Sequence, residues 1–234
     1  LALTFTNAAA KNLQQRLVSL IGSTGYAVKS TTFHSFCAEI IDEHAEYFPV
    51  AGVSRDPVSE VDKFAIMEEI FEENEFLHLK SARYPLLYLR DTLGSISDYK
   101  REGHTPLTIQ KLAQEELTRL EEEKIAPSKR RTLQKQIEKN LDVAQVYAEY
   151  QRHLRDRNLF DFEDLIMWVR DAFTQHEDLL LEYQERFQYF LIDEFQDTNE
   201  AQLQVMRLLA SYWGERANLF VVGDPNQSIY RFQG

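Results

Sequence analysis

A single cysteine, Cys37, stands in 234 residues. One thiol excludes an internal disulfide and a cysteine-cluster metal site and is compatible with a reducing cytoplasm; Cys37 itself reads as a small core residue. Glycine and proline are sparse, eight and six, which leaves little room for linkers. No apolar run approaches the roughly 18 residues of a membrane-spanning helix, so no membrane partner is expected. Cations are also short, with 26 Lys and Arg against 38 Asp and Glu for a net charge of −12. Phosphate neutralisation by Lys and Arg supplies most nucleic-acid affinity, so a uniformly basic binder is excluded. A single-strand track that stacks bases on aromatic rings with a few local donors stays open, the surplus acid lying on other faces. Nowhere does the chain carry G-x-x-x-x-G-K-[ST], the loop whose backbone N–H groups and lysine cradle a nucleotide's phosphates.

What is present begins with a core: 44% of residues are hydrophobic and 12% aromatic. Two stretches carry the chemistry. Phe190-Leu-Ile-Asp193-Glu194-Phe195-Gln196-Asp197-Thr198 and Leu219-Phe-Val-Val-Gly223-Asp224-Pro-Asn-Gln227-Ser-Ile-Tyr230 are each a short apolar strand ending in acid. Such a run places Asp193 and Glu194 at the carboxyl edge of a buried parallel strand, where open α/β sheets bind their ligands. A hard cation holding triphosphate oxygens needs one carboxylate, and the attacking water needs another to orient or deprotonate it. Asp193 is therefore assigned to Mg²⁺ and Glu194 to the water. A bare Asp-Glu pair is more often a helix cap; the longer string is what changes the odds. Gln227, with both donor and acceptor, is the candidate that senses a γ-phosphate or the attacking water, Gln196 and Asp197 could relay the change, and Asp224 reads as holding its own turn.

Along the chain, Leu1–Thr6 reads as a strand and Ala9–Leu20 as an amphipathic helix ended by Gly22 and Gly25. Ala27–Thr32 is a weaker strand and His34–His44 the helix after it. From about Asp56 the texture becomes helical, with patterns over Val58–Glu73, Thr108–Glu123 and Thr132–Asp156 and no convincing strand until Tyr189. The simplest architecture is a discontinuous α/β domain, residues 1–55 and 159–234, interrupted by an all-helical block at 56–158. Within that block Lys124, Lys129, Arg130, Arg131, Lys135 and Lys139 follow an acidic Glu115–Glu123 segment; a solvated helical hairpin and a contact to DNA are both compatible with this.

Five segments together resemble the UvrD/Rep/PcrA-type superfamily-one DNA helicases. LIDEFQDTN is similar to their Walker B motif and VVGDPNQSIYRFQG at 221–234 to the next one; Leu3-Thr-Phe5-Thr6-Asn7-Ala-Ala-Ala resembles TFTNKAA, Thr31-Thr32-Phe33-His34-Ser35-Phe36 resembles TFHSF, and Leu159-Phe-Asp161-Phe162-Glu-Asp164-Leu-Ile resembles LDFDDLI. The resemblance implies a RecA-like (P-loop NTPase) fold whose helical insert is an accessory subdomain contacting DNA. It also implies ATP and Mg²⁺ as cofactors, single-stranded DNA and its junctions with duplex as partners, and 3′ to 5′ translocation with unwinding in repair or replication, alongside other repair or replication proteins. Carried over residue by residue, Asp193 would hold Mg²⁺, Glu194 and Gln227 would serve hydrolysis, and Gln196 would join Asp193 and Gln227 at the nucleotide. Phe5, Thr6, Asn7, Thr32, Phe33, His34, Tyr230 and Phe232 would line the DNA, with Tyr230 and Phe232 stacking on bases.

The chain departs from the pattern where Ala8 replaces lysine, Phe232 replaces a common tryptophan and Gln233 replaces a usual arginine, each change weakening a DNA contact. Pro225-Asn226 in place of an acidic pair is similar to the helicase subunits of RecB/AddA-type helicase–nucleases, the alternative within the motor class. A non-catalytic relative using its insert as a binding platform is the alternative of another class. With no phosphate loop and a start inside the first motif, the chain reads as a piece of a longer helicase, expected not to turn over ATP by itself.

Overall fold

A computed structural model describes residues 1–49, 56–80, 84, 86–122 and 125–227. The chain forms two compact units, one of residues 1–51, 101–103 and 162–234, the other of residues 52–100 and 104–161.

The first unit is built on a four-stranded parallel sheet of β1 (Ala2–Thr4), β2 (Ser30–Thr32), β3 (Tyr189–Ile192) and β4 (Asn218–Val221), in the order β2-β1-β3-β4. Parallel neighbours need crossovers, and helices supply them. Helix α1 (Asn7–Ile21) returns the chain from β1 to β2, and α2 (Phe33–Glu43) leaves β2. The strands at 1–6 and 27–32 expected from sequence are three residues each: β1 ends early because Thr6 caps α1, its Oγ1 accepting from Ala9 N–H, and β2 starts late because Ala27 belongs to the preceding 3₁₀ turn, while Thr32 ends β2 and caps α2, its Oγ1 accepting from Ser35 N–H. A side-chain acceptor there satisfies one of the amides that a helix leaves unpaired. Helix α1 stops at Gly22, whose φ of 69° most side chains resist, and a 3₁₀ turn over Gly22–Ala27 leads back to the sheet.

Later in the chain, further helices complete the unit; we number them after those of the second unit, as α7 (Asp164–Gln175), α8 (Glu177–Arg186) and α9 (Glu200–Ser211). Asn199 and Gln202 form a reciprocal capping box at the start of α9. The core joins Leu3, Phe36, Ile40, Phe173, Tyr183, Phe190, Ile192, Val205 and Leu209, all 2% exposed or less. Cys37 is fully buried among them, and that burial pushes its thiol up, so it is the inert core residue expected.

The second unit is helical: α3 (Glu60–Glu73), α4 (Leu89–Arg101, its last residue in the first unit), α5 (Pro106–Glu122) and the 30-residue α6 (Pro127–Asp156). Its principal core runs through Ile66, Ile70, Phe71, Ile96, Val146, Tyr147 and Tyr150, and a smaller cluster of Ala113, Leu120 and Ile137 joins α5 to α6. Lys100, with no exposed side-chain surface, donates from Nζ to the equally buried Asp161 Oδ2, with the Tyr147 and Tyr150 rings 5.6 and 5.4 Å from the ammonium. Of the basic run, Lys129, Arg131 and Lys135 are exposed, Lys139 lies over the Tyr88 ring at 4.6 Å, and Lys124 is outside the described residues.

Candidate nucleotide and nucleic-acid edge

All four strands point the same way, so their ends share one edge. Asp193 follows β3 directly, and its N–H donates to Leu3 O across the sheet at 2.9 Å. The chain then turns through Glu194 in the left-handed region, φ 55° and ψ 45°, into a 3₁₀ turn over Phe195–Asp197. A non-glycine residue rarely holds that conformation unless its surroundings impose it. Here Glu194 N–H reaches back to Asp193 Oδ1 at 3.1 Å, Phe195 N–H donates to Val222 O at 2.9 Å, and Gln196 Nε2 donates to Glu194 Oε2 at 2.7 Å. Gln196 also accepts, at its Oε1, the N–H of Asp224 at 3.0 Å. One amide therefore joins the acid after β3 to the turn after β4.

That contact dictates the residue beside it. A Cβ on Gly223 would lie 2.5 Å from Gln196 Oε1 and 3.1 Å from the backbone nitrogens of Phe195 and Gln196, so a side chain there would displace the Gln196 amide. Asp224 holds its turn, accepting from Asn226 N–H at Oδ1 and from Gln227 Nε2 at Oδ2, both at 2.9 Å. These donors hold the Asp224 carboxyl below the usual carboxylate range. Gln227, expected at the phosphate, keeps its amide on Asp224 and is otherwise exposed. Asp197 is raised by burial and by the Glu194 charge, and its Oδ1 is buried with no hydrogen-bond partner among the described residues.

No group of three or more metal-ligating side chains occurs among the described residues. A magnesium ion carried by a triphosphate asks for one or two carboxylates, since phosphates and waters complete its shell. Asp193, half-exposed at the strand end with one oxygen engaged by Glu194 N–H, fits that demand with the other.

On the neighbouring strands the residues expected at DNA fall into distinct positions. Phe5 is half-buried and Thr6 and Asn7 are exposed just beyond β1. Ser35 Oγ, which accepts from Thr32 Oγ1 at 2.9 Å, lies 3.4 Å from Asn7 Oδ1 as a donor and ties the ends of β1 and β2 together. The hydroxyls of Thr6 and Thr32 are occupied as caps. Phe33 corrects the expectation: as the first residue of α2 its ring is 5% exposed and packed in the core, with no face to offer a base. His34 stacks on Phe162 with centroids 3.9 Å apart; burial, and then Arg101, lower its pKa to about 4. That shift favours the neutral imidazole at pH 7. Tyr230 and Phe232 lie outside the described residues.

Three contributors were not assigned from sequence: Gly223, Ser35 and Phe162. Each sat inside a quoted segment, but only the pairing of β3 with β4 reveals why Gly223 has no side chain. Phe162, 46% exposed, precedes α7 and is legible only once the fold brings it against His34.

A parallel sheet whose carboxyl edge gathers an acid pair, an amide relay and a row of aromatic and polar side chains defines an α/β domain consistent with the RecA-like domain of helicases. A family model for the UvrD/REP helicase N-terminal domain matches residues 1–234, and the chain belongs to that family. It is 34% identical over 236 residues to the ATP-dependent DNA helicase PcrA of Staphylococcus aureus (strain Mu50 / ATCC 700699) and 33% identical over 237 residues to that of Staphylococcus epidermidis (strain ATCC 12228 / FDA PCI 1200), in each case over 100% of this chain. The chain spans 28% of the length of these curated relatives.

Proposed function

We propose that this chain is part of an ATP-dependent DNA helicase that moves along single-stranded DNA in the 3′ to 5′ direction and separates duplex during repair or replication in the cytoplasm. The observation that carries the reading is the acid pair at the end of β3, tied through Gln196 to the turn after β4. Asp193 holds the magnesium of Mg²⁺-ATP, and that ion would neutralise charge developing on the phosphates. Glu194 takes the proton of the attacking water, and Gln227 is released from Asp224 to the γ-phosphate. Phe5, Asn7 and His34, with Tyr230 and Phe232, contact the strand, and Phe162 supports His34 from below. The helical unit is read as the accessory subdomain of the family, inserted at 56–158. Lacking a phosphate loop, the isolated chain does not hydrolyse ATP.

In the intact protein, Glu194→Gln should retain nucleotide binding and lose at least about 100-fold in DNA-stimulated turnover, the scale of a general base. Unaltered turnover would refute the assignment. Direction is read from strand displacement on duplexes with a 3′ or a 5′ single-stranded tail; unwinding of the 5′-tailed substrate alone would reverse it. No helix among the described residues is long and apolar enough to cross a membrane.

A further inference from the structure

Below the carboxyl edge, on the β2 side of the sheet, α1 and β2 enclose a groove of about 510 Å³. Polar side chains alternate with apolar surface along it: Asn7, Lys11, Gln14 and Gln15 form one stripe of α1 beside Ala10 and Val18, with Ser30 on β2 and Tyr26 at the far end. Lys11 is exposed and makes no hydrogen bond or ion pair among the described residues, although acids outnumber cations by 38 to 26 in this chain. Ser30 Oγ is buried with no hydrogen-bond partner among the described residues, a cost that a polar group reaching it would remove. Gln14 donates to Gly25 O at 2.7 Å and so is held in place with its carbonyl oxygen unused. The Tyr26 ring is 72% exposed. Asn7 belongs both to this groove and to the cluster at the ends of β1 and β2, so the two are continuous.

A free ammonium, fixed amide and hydroxyl groups and an exposed ring are what one stretch of single-stranded nucleic acid asks for: a cation for phosphate, polar partners for sugar and base edges, and a face to stack on. We propose that the groove holds the single strand where it leaves the carboxyl edge, with Lys11 on a phosphate and Tyr26 against a base. The proposal rests on the nucleic-acid reading of that edge. A protein segment adding to the free edge of β2 would use main-chain bonds and would be indifferent to Lys11 and to salt.

The test is a fluorescence titration of the intact protein with two oligothymidylates, one long enough to cover only the carboxyl edge and one about four nucleotides longer. Lys11→Gln and Tyr26→Ala should leave the short one unaffected. For the long one, Tyr26→Ala should weaken binding about tenfold, and Lys11→Gln should lower the slope of log affinity against log salt by about 0.7, one phosphate's worth. Arg16→Gln, the same charge change on α1 outside the groove, should do neither. If the long oligonucleotide loses nothing in either groove variant, or if Arg16→Gln acts equally, the groove proposal is wrong. Failure of the short one to bind at all would instead remove the nucleic-acid reading of the edge itself.

Discussion

Gln196 holds Glu194 by the side chain: its amide nitrogen lies 2.7 Å from Glu194 Oε2, while its oxygen accepts the Asp224 amide at 3.0 Å. The carboxylate proposed to act on water is thus restrained by a group whose other end belongs to the neighbouring strand's turn. Displacement of that turn changes the restraint on Glu194 through Gln196 alone.

Removing the tether should therefore disturb catalysis more than binding. In the intact protein, Gln196→Ala is expected to lower DNA-stimulated ATP turnover by about 100-fold, the size of effect that follows from misplacing a catalytic group by an ångström, with nucleotide affinity little changed. Stopped-flow nucleotide binding beside steady-state turnover separates the two. An equal loss in both would make Gln196 a nucleotide ligand and no tether.

Gly223→Ala probes the same contact from the other side. Its new methyl would stand 2.5 Å from Gln196 Oε1, so the amide must leave and Glu194 is freed. Overpacking of this kind costs about 1–3 kcal/mol where nothing yields; an exposed turn yields more readily, and the lower end applies. Turnover should fall as in Gln196→Ala, and the double variant should be no worse than either single one, because both remove one interaction. Additive losses would show that the two residues act separately.

How much of this was legible beforehand differs by level. The acid pair at a strand end was readable from the whole string LIDEFQDTN and not from the two acids alone, and helices α5 and α6 were readable from their periodicity. Strands β1 and β2 came out shorter than expected, since Thr6 serves a helix and Ala27 belongs to a 3₁₀ turn. Helix α4 was not singled out although Leu89, Leu93 and Ile96 recur at helical spacing and are buried: Gly94 inside it and the charges Asp91, Asp98 and Lys100 along it lower its apolar content. Phe33 was placed at the DNA because its string resembles a DNA-contacting one, whereas its ring is buried with Phe36, Cys37 and Ile40 of the same helix. The Lys100–Asp161 pair could not be read at all, for nothing in a sequence couples a lysine to an acid 61 residues away.

That pair gives a stability test confined to the helical unit. Lys100→Met takes the ammonium away from a buried carboxylate and should cost about 3–5 kcal/mol in urea unfolding, whereas Lys100→Met combined with Asp161→Leu should recover most of it, because an apolar pair replaces two desolvated charges. A double variant as unstable as the single one would mean that the pair's further contacts, and not its charge balance, hold this core.

Acid should destabilise the first unit in two separable windows. His34 is pushed from 6.5 to about 4 in the folded state, by burial and then by Arg101. Between those values the unfolded chain binds a proton that the folded one refuses, so stability falls as pH drops through 6.5 and this contribution levels off near 4. Glu43 has the opposite chemistry with the same sign: hydrogen bonds from Arg186 and Tyr183, each 2.8 Å, hold its carboxyl below the ordinary 4.5. Its contribution is complete above 4.5 and is lost as pH falls through the lowered folded value. Thermal melts across this range should show His34→Gln flattening the slope between 4 and 6.5 and Glu43→Gln flattening only the part below 4.5. Since Glu43 is exposed, its effect should also shrink in high salt, while that of the stacked imidazole, which arises chiefly from burial, should persist. Identical slopes in wild type and both variants would place the acid sensitivity elsewhere.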